Sequence, residues 1–228
     1  MPYATARDGT KIYYEETGKG TPIVFVHEFS GDHRSWEAQM RHFARRYRCI
    51  AFNARGYPPS DVPKARSKYS QPIVVDDVLA VMRHLKLSKA HIVGCSMGAR
   101  TALGFGITHA ARALSVTTVG AGAGSNPATR AAFLRNVEAN ARSFLAYGVP
   151  ATLRAAGPAA GRIPQLNKDP RGFAEFRRWQ FEHAAIGLAN TQRGVQLKRK
   201  TIFELGSALR RMKVPLFVVT GDEDDNCV

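Results

Sequence analysis

The stretch HIVGCSMGAR, residues 91–100, decides how the rest of the chain reads. The β-branched residues Ile92 and Val93 lead into Gly94-Cys95-Ser96-Met97-Gly98, and a helix-forming tail leaves it. Strand, sharp turn and helix form the context in which G-x-S-x-G becomes a nucleophile elbow. Gly94 and Gly98 flank the serine because side chains there would strike neighbouring backbone. Ser96 would then project its hydroxyl from the turn, and the helix N-terminus behind it lowers the cost of negative charge. The alternative is an ordinary strand-to-helix corner, so the surrounding elements decide.

Upstream, Thr5 to Arg7 runs into Asp8-Gly9 and then TKIYYEETG, the pattern of a β-hairpin. TPIVFVH (21–27) is continuously apolar, as a strand buried on both faces must be. Helical periodicity follows from Trp36 to Tyr47. RCIAFNARG (48–56) reads as a second buried strand, and GYPPSDVP (56–63) is too rich in Pro and Gly for regular structure. QPIVVDDVLAVMRHLKL (71–87) has helical spacing with Pro72 in the first turn. Downstream of the elbow, Met97 to Ala110 reads as helix, ALSVTTVGAG (113–122) as strand, and VPLFVVTGDEDD (214–225) as the last strand and its exit. Alternating strands and helices predict an α/β fold, a doubly wound and mostly parallel sheet.

Between about 125 and 212 the rhythm changes. Only amphipathic stretches occur, among them ATRAAFLRNVEANARSFLAYG and FAEFRRWQFEHAAIGLAN. The predicted organisation is a core of residues 1–124 and 213–228 with a helical lid, 125–212, inserted after the sixth strand. The lid should sit over the carboxyl ends of the strands, where open α/β sheets bind ligands.

The net charge of +15 raises the question of nucleic acid. The basic residues are spread over RHFARRYR (41–48), LKRK (197–200) and LRRMK (209–213), and no nucleic-acid module is present. In the first segment Phe43 and Tyr47 are spaced for an inward helix face with solvated arginines between them. The expectation is no nucleic-acid partner. No apolar run is long enough for a membrane span, and MPYATARDGT lacks the regions of a signal peptide. Cys49, Cys95 and Cys227 follow no metal pattern. A cytoplasmic protein with no metal and no cofactor is expected.

The chemistry follows from the elbow. Backbone N–H groups should stabilise an oxyanion: that of Met97, after the nucleophile, and that of Phe29 in the loop His27-Glu28-Phe29-Ser30-Gly31-Asp32. His27 ends a buried strand, and that position suits bracing the loop better than acting as a base. A carboxylate is absent after SVTTVGAGAG but present in Gly221-Asp222-Glu223-Asp224-Asp225. Asp224 is the expected acid, with Asp222 and Asp225 as rivals.

These segments resemble the α/β-hydrolase superfamily, in its lidded, serine-nucleophile, esterase-like branch. The matching pieces are DGTKIYYEETGKGTPIVFVH, HEFSGDHRSWEAQ, FNARGYPPSD, GCSMG and VPLFVVTGDEDD. The resemblance implies Ser96 as nucleophile, Asp224 as acid and a histidine base following the acid. It departs at Glu28, where the superfamily often has Gly, and at Asn53 and Pro58, where Asp and Gly are common. The histidine that should follow the acid is not in the chain. Of those present, His42 and His84 fall in sheet-covering helices, His91 at the far end of a strand and His109 at the end of the elbow's helix. His183, in the lid, could reach the cleft, but a lid helix rarely supplies the base. The expectation is therefore a C-terminally truncated chain lacking the last strand and helix. It would act on a small carboxylic ester, thioester, lactone or amide through an acyl-enzyme, and be inactive or impaired in this form. Phe133, Phe144, Tyr147, Phe176, Trp179 and Phe181 point to a small apolar substrate under the lid. The other reading is a non-catalytic protein of the same fold that binds a small ligand.

Overall fold

A computed structural model describes residues 2–221 and 224. Its centre is a seven-stranded sheet in the order β1-β2-β4-β3-β5-β6-β7. The strands are β1 (Tyr3–Thr5), β2 (Lys11–Thr17), β3 (Thr21–Val26), β4 (Tyr47–Phe52), β5 (Ala90–Cys95), β6 (Ala113–Val119) and β7 (Leu216–Val219). β1 and β2 form the antiparallel edge, and every pairing from β4 to β7 is parallel. The doubly wound fold expected from the alternation is thus the fold observed.

Side-chain alternation along the central strands sends residues to both faces. Val24, Val26, Ile50, Phe52, Ile92 and Val116 pack with α2 (Gln71–His84) and α3 (Met97–Thr108). Ile23, Phe25, Cys49 and Ala51 face the other way, against Trp36 and Met40 of a 3-10 turn (His33–Trp36) and α1 (Glu37–Phe43). Local signals fix the helix starts. The Ser70 hydroxyl accepts from Ile73 N at 3.3 Å, with Pro72 in the first turn of α2.

Between β6 and β7 lie α4 (Pro127–Ala156), α5 (Ile163–Lys168), α6 (Pro170–Phe181), α7 (Ala185–Thr191) and α8 (Gly206–Arg211). α4 breaks at Gly148, whose φ is 77°. α4 and α7 carry Phe144, Val149 and Leu188 onto Met97, Ala54 and Tyr57 at the end of the sheet.

RHFARRYR is not a single helix: α1 stops at Phe43 and Tyr47 begins β4. Phe43 is 39% exposed rather than inward-facing. The parallel pairing of Thr21 with Tyr47 claims that residue for the sheet and overrides the helical spacing.

Candidate active site

Ser96 sits where β5 ends and α3 begins, with φ 51° and ψ −110°. A non-glycine residue held there is strained. Three interactions hold it. Ser96 N donates to Val119 O of β6 at 2.8 Å, and Ser96 O accepts from Arg100 N at 3.2 Å. The flanking glycines supply the third. A Cβ on Gly94 would lie 2.2 Å from Gly98 O, and one on Gly98 would lie 2.1 Å from Val26 O. Real Cβ atoms do not approach backbone that closely, so both positions must be glycine. The second approach also fastens the start of α3 to the end of β3, where the loop 27–32 begins.

Phe29 and Met97 meet at one apolar cluster. Among the described residues neither backbone N–H donates a hydrogen bond, so both are available to an incoming oxygen. His27 is fully buried and uses both ring nitrogens. Nδ1 donates to Glu28 O at 2.7 Å, and Nε2 accepts from Ala54 N at 3.0 Å. Burial lowers its pKa and keeps it neutral. With both nitrogens engaged it braces the loop, as its position in the sequence suggested.

The loop is also held from the helices beyond β6. Gln180 Nε2 donates to Ser30 Oγ at 2.8 Å, and His183 Nε2 lies 3.1 Å from Ser30 O. Arg162 Nη2 donates to Glu28 Oε1 at 2.5 Å, and Ser35 Oγ donates to the same oxygen at 3.2 Å. Arg34 joins Asp32 to Glu182, at 2.6 and 2.7 Å, beneath the Trp179 ring. Burial would raise the Asp32 pKa, but the Arg34 guanidinium outweighs it and holds the carboxyl below its usual range. This strap was not readable in the sequence, although Glu28 stood out as the loop's unusual residue. Its carboxylate occupies the space beside Gly31, and it is paired by an arginine 134 positions away.

His183 comes to Ser30 rather than to the Ser96 hydroxyl. Burial lowers its pKa to about 4. Each remaining histidine is also engaged elsewhere: His33 with Asn53, His42 with Arg45, His84 against Tyr14, His91 with Ser115 and His109 with Asp76. Asp224 follows β7, with its N–H donating to Gly221 O at 3.2 Å. Asp222, Asp225 and Cys227 lie outside the described residues. Among the described residues, no group of three or more His, Cys, Asp or Glu side chains could hold a metal ion. No helix there is long and apolar enough to cross a membrane.

The aromatic residues between β6 and β7 divide differently from the sequence expectation. Only Phe144 belongs to the cluster around Met97. Phe181 lies under Arg154 and Arg177, Phe133 under Arg130 and Arg199, and Tyr147 is 73% exposed. Phe176 and Trp179 face a groove on the α1 side of the sheet. Helical periodicity gives an apolar face but not the partner that covers it.

Residues 21–154 match the family described as alpha/beta hydrolase fold. The chain is 33% identical over 121 residues to 3-oxoadipate enol-lactonase 1 of Acinetobacter baylyi, covering 52% of this chain and 44% of that protein. It is 33% identical over 101 residues to epoxide hydrolase 3 of Mus musculus, covering 43% of this chain and 28% of that one. The chain thus spans less than half the length of these curated relatives. Among solved structures, the enol-lactonase from Burkholderia xenovorans LB400 superposes with a TM-score of 0.82 over 99% of this chain and 83% of that one, at 23% identity. At that identity the likeness is one of fold.

Proposed function

The chain belongs to the α/β-hydrolase fold family, and from that premise we propose that it is a serine hydrolase. Its substrate is a small carboxylic ester, thioester, lactone or amide. Ser96 Oγ attacks the carbonyl, and the N–H groups of Phe29 and Met97 receive the developing oxyanion. Asp224 is the acid, and the helices of 125–212 act as a lid over the site. The observation that carries this reading is Ser96 at φ 51° on a turn closed by Gly94 and Gly98, with the Phe29 and Met97 amides donating no hydrogen bond among the described residues. Such strain persists only where the surroundings enforce it, and it clusters at functional sites. A hydroxyl at this position, rather than a carboxylate, favours acyl transfer over the epoxide opening named for some relatives. The resemblance to an enol-lactonase makes a lactone a natural first substrate to try.

No histidine of the chain hydrogen-bonds the Ser96 hydroxyl. Without an imidazole base a serine hydrolase loses on the order of 10⁴ to 10⁶ in kcat, so slow turnover is expected of these 228 residues. The test is hydrolysis of p-nitrophenyl acetate with added imidazole, comparing the chain with Ser96→Ala. Imidazole should restore turnover only where the serine is present. Equal rates in the two proteins would remove the hydrolase reading. The engagement of all seven histidines elsewhere favours a second reading, a non-catalytic small-ligand binder. Under that reading a fluorophosphonate leaves Ser96 unmodified even with imidazole present.

A further inference from the structure

One helical turn beyond Ser96, α3 carries Arg100, which is 4% exposed. Its Nη2 donates to Lys200 O, while its Nη1 is buried with no acceptor. Two more guanidinium groups share this region. Arg130 of α4 donates to Gly124 O at 2.7 Å and to Arg199 O at 3.2 Å. Arg199, 5% exposed, donates to Ala123 O at 2.9 Å. Arg130 and Arg199 both lie over the Phe133 ring, at 5.8 and 5.7 Å. The carbonyl oxygens satisfy individual N–H groups but bring no negative charge to Arg100 or Arg130.

Neither Arg100 nor Arg130 forms an ion pair among the described residues. The carboxylate whose charge reaches Arg100 is that of Glu204, and it is committed to Thr201 N at 2.6 Å and Thr201 Oγ1 at 2.8 Å. Burial, and then the charge of Arg130, lower the Arg100 pKa to about 10. Burying a cation without a counter-charge is costly, and an unpaired guanidinium offers a planar fork of donors suited to an oxyanion. Arg130 is only half-buried, which leaves a way in from solvent.

We propose that Arg100, with Arg130, forms a binding site for a small oxyanion, a carboxylate or a phosphate, between α3, the exit of β6 and the start of α4. The site is separate from the serine chemistry and stands whether or not the chain hydrolyses esters. Its test is thermal unfolding of the whole chain titrated with sodium acetate or sodium phosphate, against sodium chloride at matched ionic strength. Saturable stabilisation is expected with at least one oxyanion. A response to acetate identifies a carboxylate ligand, and a response to phosphate alone identifies a phosphoryl ligand. In Arg100→Met, which keeps the length of the side chain, the apparent affinity should fall at least tenfold. No saturable effect beyond that of chloride would overturn the proposal, as would an unchanged titration in Arg100→Met. Should that variant fail to fold, Arg130→Gln takes its place, and undiminished binding there overturns the proposal equally.

Discussion

At the scale of single residues, the site depends on what is missing from Gly94 and Gly98 as much as on Ser96. Gly98→Ala would force a methyl group to within 2.1 Å of Val26 O. The backbone must move apart, and a loss of roughly 3 kcal/mol is expected in urea unfolding. Arg55 is buried against Asp77, with contacts of 2.6 and 2.7 Å, and keeps a second ion pair to the more exposed Asp8 at 3.0 Å. Asp77→Asn should cost about 3 kcal/mol by the same measurement, the low end for a broken buried pair because Asp8 still faces Arg55. Histidine protonation contributes to the loss of stability in acid. His183 has a folded-state pKa of about 4 against an ordinary 6.5. The unfolded chain therefore takes up its proton first as pH falls. Stability is fully present above about pH 6.5 and is lost between there and about pH 4, by ~3 kcal/mol at most for this group. His27 is shifted in the same direction. The His183→Gln variant should flatten the stability–pH profile in that window, measured by chemical unfolding at each pH. The elbow glycines and the bracing role of His27 were legible because their reasons are local. The partners of Glu28 and His183 were not, because each lies more than a hundred residues away in the chain.

At the scale of elements, the loop after β3 and the helices after β6 behave as one mechanical unit. Ser30, at φ 58°, is held on its hydroxyl by Gln180 and on its carbonyl by His183. Glu28 ties the same loop to Arg162, whose guanidinium lies 4.1 Å from the Phe176 ring centre. Arg162→Ala removes both the ion pair and the stacking. It should raise protease sensitivity around residues 157–172 several-fold, with the cleavage sites read by mass spectrometry. Cleavage at the wild-type rate would mean that this pair does not anchor the segment. Sequence patterns located most elements closely. ATRAAFLRNVEANARSFLAYG ends at Gly148, where α4 breaks. The failure at residues 41–48 shows the limit: Tyr47 fits a helical stripe, but strand pairing decided its fate.

At the scale of the whole molecule, the two faces of the sheet differ. α2 and α3 cover one face, while α1 covers only part of the other. Beyond α1, Val93, Thr117, Val119 and Phe217 floor a groove of ≈750 Å³ with Phe176 and Trp179 on its far side. β7 itself is open, with Phe217 at 65% and Val218 at 58% exposure. Exposed apolar strand edges invite dye binding and self-association. Phe217→Lys should reduce anilinonaphthalene sulfonate fluorescence and concentration-dependent light scattering with little change in Tm. Unaltered signals would mean that this strand is not the exposed apolar surface.

The sequence alone determined the strand–helix alternation, the tight turn at Ser96 with its two obligatory glycines, the loop after β3 and the place of the helical insertion. All of these rest on short-range sterics and hydrophobic period. Tertiary structure decided what lies across from what. It brought Gln180 and His183 to Ser30, Arg162 to Glu28, and the Arg130 guanidinium into electrostatic reach of Arg100. Such contacts form when distant segments are folded together, and burial then fixes their charge and their hydrogen bonds. No local pattern encodes them.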